Sequence, residues 1–285
     1  MPDLDFTLQS LHLYPVKSCA GIAVDEALLI ETGLELDRAW MVVDADSGNF
    51  LTQRELPRLA LVTPTLRVDD LMLRAPGMLP LHLALDAAEA PRRVRVWDDE
   101  VAAYDMGALA AQWFSDFLGQ RVQLVRFDPE HRRASDPQWS GGVDAQTAFA
   151  DGFALMVVSA ASLAELNRRL AARDQPAVTM QRFRPNLVLD GLDAHDEDRI
   201  DTLTLDSPDG EVVLKLTKPC VRCTIPNVDP TSATVGTEPG DTLAGYRADA
   251  RVGGALTFGM NAAVASGVEH RLRAGMRGRA TFAWG

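Results

Sequence analysis

The segment Lys218-Pro219-Cys220-Val221-Arg222-Cys223-Thr224-Ile225-Pro226-Asn227-Val228-Asp229-Pro230 holds two of the three cysteines of the chain. An arginine lies between them and a proline precedes the pair. A thiolate beside fixed positive charge is a nucleophile or a soft-metal ligand, because the charge stabilises S⁻ over SH. Arg222, next to Cys223, would favour its thiolate, and Lys218 would add to this. Asp229 could orient a base or a water.

Three other readings of the pair stay open. A structural zinc site wants four ligands, but Cys19 is far off in sequence and the five histidines form no ligand-spaced cluster. A thioredoxin-like pair normally opens a helix, and Pro226 disfavours one here. Two cysteines can also pack as small hydrophobes.

Three further segments could bind an anion. Tyr14-Pro15-Val16-Lys17-Ser18-Cys19-Ala20-Gly21 ends a strand-like run with a point charge, a hydroxyl donor and a glycine that lets backbone N–H groups approach. Asp37-Arg38-Ala39-Trp40 places Arg38 at a strand start. In Arg182-Phe183-Arg184-Pro185-Asn186, Arg184 could grip a phosphate bidentately and Asn186 could meet the edge of a heterocycle. Each has a plain alternative: a solvated lysine, a surface salt bridge, an Asn turn. Together they resemble the strand-end lining of a pocket for a polyanionic cofactor.

The elements that must position these residues read as mostly β. Alternation predicts strands over 6–16, 26–30, 39–44, 59–67, 71–74, 80–84, 93–97 and 121–126. Asp46-Ser47-Gly48-Asn49 predicts a hairpin joining 39–44 to 50–53. Helical spacing predicts a helix over 107–118. The polar stretch 128–151, with two prolines and two adjacent glycines, suggests a domain boundary near 128 and a linker or lid after it. A strand at 154–158 then leads into a helix over 162–172, with Ser162 and Glu165 as a capping box. Strands follow at 187–190, 200–205 and 211–217, with the cysteine motif after the last. Residues 251–285 are glycine-rich and end in strand-like alternation.

The whole chain sets limits. Its 285 residues, 47% hydrophobic and 24% charged, suit one large or two medium soluble domains. A net charge of −12 argues against nucleic acid as the main partner. The acidic N-terminus is no signal peptide and no apolar run is long enough to span a bilayer, so no membrane partner is expected. An odd cysteine count fits a reducing compartment, and a cytoplasmic location is the default expectation. Only three of the 28 basic residues are lysine, at 17, 215 and 218.

The ordered motifs YPVKSCAG, DRAWMVVD, TQRELPRLAL, FRPNLVL and KPCVRCTIPNVDP resemble those of MOSC-domain proteins. The resemblance is to the subgroup with an N-terminal β-barrel MOSC domain, which includes the mitochondrial amidoxime-reducing component and its bacterial relatives. It runs over about residues 4–283. It implies a mostly β (α+β) fold, with a β-barrel-like N-terminal domain over 1–128 and a MOSC β-barrel domain with a few helices over 129–285. It also implies a molybdenum cofactor, a metal on a phosphate-bearing pterin dithiolene, with Cys223 as the metal ligand. By the same resemblance Lys17, Ser18, Arg38, Arg184, Asn186 and Arg222 contact the cofactor. Asp151 matches a pocket position less closely. Asn261 stands where the amidoxime reducers look to carry a tyrosine. The implied activity is reduction of a small N-hydroxylated substrate with electrons from a separate flavoprotein or ferredoxin, since neither a ferredoxin domain nor a membrane anchor is visible. The alternative is a sulfur or cofactor carrier with a persulfide on Cys223 or Cys220. A pyridoxal phosphate reading, with Lys17 or Lys218 as Schiff base, is disfavoured because the sulfurases hold that cofactor in a domain absent here.

Overall fold

Seven strands form a closed barrel in a computed structural model that describes residues 4–283. In spatial order they are Leu155–Ser159, Leu187–Asp190, Leu4–Leu13, Arg277–Phe282, Ile200–Ser207, Gly210–Val221 and Ala255–Ser266, and the last pairs back with the first. Closure leaves no exposed edge along the ring. One neighbouring pair, Leu155–Ser159 with Leu187–Asp190, is parallel. The helix Ala160–Ala171 lies between these two strands in sequence, as a parallel crossover requires. Period-two alternation turns Leu8, Leu203, Leu205, Val212, Leu214 and Ala280 inward, and all are buried in one core.

The barrel draws on both ends of the chain. Its strand Leu4–Leu13 comes from the N-terminus and sits between Leu187–Asp190 and Arg277–Phe282. Strand Arg271–Arg273 in turn pairs with Glu26–Ile30. The remaining N-terminal elements make a four-stranded sheet of Trp40–Asp44, Val122–Phe127, Asp99–Asp105 and Pro91–Val96, and a three-stranded sheet of Thr63–Leu66, Asp70–Arg74 and Leu81–Ala84. The helix Gly107–Leu118 buries Trp113, Phe114 and Phe117 in the same core as Leu71, Leu73 and Leu81. It ends at Gly119, which takes the left-handed cap conformation. Among the described residues no helix is long and apolar enough to cross a membrane.

Several local expectations need correction. The run 59–67 opens with a 3-10 turn over Pro57–Leu61, and only Thr63–Leu66 is strand. Proline at the start of that turn has no N–H to leave unpaired. The hairpin expected to continue over 50–53 reduces to a single bridge between Val43 and Phe50; Thr52 turns toward the cleft described below, and Gln53 donates to the Ser18 carbonyl. The helix after the 155–159 strand starts at Ala160, capped by Ser159, whose Oγ accepts from the Ala161 N–H. Ser162 is therefore no cap. It donates to the buried Glu197 carboxylate, and Glu165 pairs with Arg168 and Arg169. The cysteine motif does not follow its strand. The strand Gly210–Val221 carries Lys218, Pro219 and Cys220 within it, with irregular register at 216–219 and 219–221. Bulges of this kind re-aim side chains.

Candidate functional site

A cleft of about 550 Å3 opens between the N-terminal elements and the barrel. Its walls include Lys17, Ser18, Arg38, Asp151, Arg184, Asn186, Arg222, Cys223 and Asn261, which lie far apart in sequence. Asp229 is placed elsewhere. Its Oδ1 accepts from the Thr231 and Ser232 N–H groups, and its Oδ2 accepts from Arg182 at 2.9 Å. It organises the turn after the cysteine motif and does not line the cleft.

Six basic side chains line the cleft (Lys17, Arg38, Arg54, Arg184, Lys218 and Arg222) against two acidic ones, Asp136 and Asp151. In a chain of net charge −12 this concentration of cations marks an anion site. Among the described residues neither Arg184 nor Arg222 has a carboxylate partner. Arg184 donates to the Cys19 carbonyl, and its guanidinium carbon sits 4.3 Å from the centre of the Tyr14 ring. Burial, then repulsion from Arg38, lowers its pKa to about 10. A desolvated cation without a counter-charge is costly unless an anion completes it.

Arg38 is held more fully. It pairs with Asp37, donates to Asn186 Oδ1 at 3.0 Å and to the Arg184 carbonyl at 3.0 Å, and lies 4.4 Å from the centre of the Tyr14 ring. Asn186 is buried, and its carboxamide also accepts from the Met156 N–H and donates to the His12 carbonyl. Most of its hydrogen-bonding capacity is therefore spent on joining barrel strands to Arg38. Ser18, Arg38 and Arg184 have φ of 67°, 50° and 59°. Left-handed backbone in non-glycine residues costs on the order of 1–3 kcal/mol each and gathers at functional sites.

Lys17 and Asp151 tie the two halves of the cleft together. Lys17 Nζ donates to Asp151 Oδ1 at 2.6 Å and to the Phe149 carbonyl at 2.7 Å. Burial lowers the Lys17 pKa, with Asp151 opposing. Burial would raise the Asp151 pKa, but the Lys17 charge and hydrogen bond prevail and hold it at about 2. The segment 128–151 is pinned rather than loose. Arg133 donates to the Ala148, Ala150 and Asp151 carbonyls and pairs with Asp99.

The three sulfurs differ. Cys19 is buried, which pushes its pKa up to about 12, so it is an inert core thiol. Cys220 is half-buried and Cys223 exposed at the cleft. The charge expected beside Cys223 faces its neighbour: Arg222 Nη1 lies 2.9 Å from Cys220 Sγ and 3.3 Å from Met156 Sδ, while Nη2 donates to the Phe183 carbonyl. Arg222 Nε is buried with no partner among the described residues. Asn261 donates to the Lys218 carbonyl at 3.1 Å and so braces the bulged strand.

Two family models match this chain. Residues 5–121 match the MOSC N-terminal beta barrel domain, and residues 144–277 match the MOSC domain. The chain belongs to the MOSC-domain family. It is 36% identical over 253 residues to mitochondrial amidoxime reducing component 2 of Rattus norvegicus, covering 85% of this chain and 72% of the relative. It is 36% identical over 252 residues to mitochondrial amidoxime-reducing component 1 of Homo sapiens, with the same coverage of each chain. It is 29% identical over 271 residues to molybdenum cofactor sulfurase of Arabidopsis thaliana, covering 88% of this chain and 32% of that protein.

The donor set fits the phosphate-bearing pterin dithiolene of a molybdenum cofactor. Arg184 spends one hydrogen bond on the Cys19 carbonyl and has no carboxylate partner among the described residues, Arg222 brings a second cation to the same wall, and Cys223 offers one accessible sulfur. Among the described residues no three His, Cys, Asp or Glu side chains are placed to hold a metal together. A metal here must bring most of its ligands with it, as a dithiolene-bound metal does.

Reasoning from the sequence did not single out Thr52, Arg54 and Trp97 as lining residues. Thr52 and Arg54 lie within TQRELPRLAL, so that motif was the available signal. Trp97 had none beyond being a tryptophan at a strand end.

Proposed function

We propose that this MOSC protein is a molybdenum-cofactor reductase of small N-hydroxylated compounds, supplied with electrons by a separate flavoprotein or ferredoxin. The observation that carries the reading is the meeting in one cleft of an exposed thiol, Cys223, with two cations, Arg184 and Arg222, that have no ion-pair partner among the described residues. Support comes from relatives named as amidoxime-reducing components that align over most of their length.

In this reading Cys223 Sγ is the protein ligand to molybdenum, and Arg184, Lys17 and Ser18 face the anionic end of the pterin. When bound, the molybdenum centre would supply an oxygen-atom acceptor that gives up two electrons. In the net reaction the N–O bond breaks, two electrons and two protons enter, and an amine or amidine and water leave. Arg222 keeps positive charge against the sulfur side of the cleft, where negative charge develops. Tyr14, its hydroxyl pKa raised to about 12 by burial, stays neutral and packs beneath Arg38 and Arg184. The proposed compartment is the cytoplasm, with no nucleic-acid or membrane partner.

A second reading is a sulfur or cofactor carrier with a persulfide on Cys220 or Cys223. The Arg222–Cys220 contact and the sulfurase relative favour it. Turnover decides between the two. The molybdenum-loaded protein with a chemical electron donor is expected to convert benzamidoxime to benzamidine catalytically. A single stoichiometric release of sulfur or cofactor, with no turnover, would replace the reductase reading with the carrier.

A further inference from the structure

We propose that Trp97 is the substrate shelf of the cleft and selects planar, heteroaromatic N-hydroxylated compounds over aliphatic ones. The proposal rests on the reductase reading above.

Trp97 is the first of two residues joining strands Pro91–Val96 and Asp99–Asp105, where Val96 pairs with Asp99. Its φ is 56°, a region that glycine enters freely and a bulky side chain enters at a cost. A two-residue hairpin asks for a positive φ at this position, and a tryptophan fills it although glycine would fit with less strain.

The indole is held in place. Its Nε1 donates to Asp151 Oδ1 at 3.2 Å, the same oxygen that accepts from Lys17. The Arg54 guanidinium carbon sits 4.7 Å from the ring centre, and the Phe50 ring meets it at 4.9 Å and 64°. These contacts fix the ring without consuming it, since Trp97 remains 49% exposed. It lines the same cleft as Cys223, which is exposed as well, whereas Lys17, Ser18 and Asn186 are buried. A resident cofactor is sequestered on the buried side, and an exchanging molecule meets the exposed rim. A rigid aromatic ring there gives a flat partner a stacking surface that an aliphatic chain cannot match. Asp151 Oδ2 accepts no hydrogen bond from a described residue, so the carboxylate beside the shelf is free to take an exocyclic N–H.

The test compares the molybdenum-loaded wild type with Trp97→Gly and Trp97→Phe, using reduced methyl viologen as donor. Glycine removes the ring and relieves the turn, so Trp97→Gly is expected to melt no lower than wild type. KM for N-hydroxyadenine is expected to rise roughly tenfold in Trp97→Gly, with KM for acetamidoxime within about twofold, and Trp97→Phe should restore most of the difference. Molybdenum and pterin content should match wild type in both variants. Equal changes for the two substrates would overturn the shelf. So would loss of pterin from Trp97→Gly, which would make Trp97 a cofactor contact. If the wild type reduces neither compound, the reductase reading fails, and equilibrium dialysis of N-hydroxyadenine judges the shelf alone. Binding weakened about tenfold in Trp97→Gly would support it, and equal binding would overturn it.

Discussion

Arg222 directs its Nη1 at the sulfur of Cys220, 2.9 Å away, although Cys223 is its neighbour in sequence. The two cysteines are thereby given different surroundings, one against a guanidinium and the other open to the cleft. Replacing Cys220 by alanine removes the sulfur Arg222 leans on and leaves the open thiol in place. Cys220→Ala is expected to keep most of its molybdenum. Loss as complete as that caused by removing Cys223 would show that both sulfurs hold the metal.

Among the described residues Arg184 hydrogen-bonds to a carbonyl and to no carboxylate. Arg184→Met should weaken pterin retention tenfold or more, because charge-assisted contacts are worth about 1.5–3 kcal/mol. The same change should leave the melting temperature of the cofactor-free protein equal or higher, since it removes a desolvated charge. Unchanged pterin retention, measured by fluorescence of the oxidised pterin, would take Arg184 out of the site.

Much of this cleft was legible in the sequence. Lys17, Arg38, Arg184 and Cys223 stand next to glycine, proline or small residues at strand ends, where local chemistry announces a binding loop. The helix Gly107–Leu118 was legible from its apolar spacing. Closure of the barrel was not. Strand Leu4–Leu13 pairs with residues at 187–190 and 277–280, and alternation shows which residues face inward without naming the neighbouring strand. Asp229 misled because its proximity to the cysteines in sequence hid its use as a turn organiser. Trp97 escaped because its signal is a left-handed backbone angle and a hydrogen bond across 54 residues, neither of which has a local pattern.

Glu197 gives a pH dependence. It is fully buried, and burial raises its pKa to about 7 despite donation from Ser162. The folded state therefore holds a proton that the unfolded chain releases above its ordinary carboxylate pKa. Stability contributed by this group is present below about pH 4.3 and falls as pH rises toward 7, by roughly 3 kcal/mol. Glu197→Gln should flatten that decline, raising the melting temperature near pH 7 more than in mild acid. Parallel pH profiles for the two proteins would contradict the assignment.

Gly259 lies on the strand that closes the barrel, with φ 76°. A Cβ there would meet Val158 Cγ2 at 2.6 Å and the Val157 carbonyl oxygen at 2.7 Å. Gly259→Ala should cost about 3 kcal/mol, combining backbone strain with overpacking, and chemical denaturation would read it. A cost below about 1 kcal/mol would mean the strand can shift without penalty.

The most direct test is the metal and pterin content of wild type beside Cys223→Ala, both produced in a host that makes molybdenum cofactor. Molybdenum is read by mass spectrometry and pterin by fluorescence of its oxidised form. Near-stoichiometric molybdenum and pterin in the wild type, with molybdenum lost in Cys223→Ala, is the expected result. Equal molybdenum in the two proteins, or none in either, would contradict a Cys223-ligated molybdenum centre.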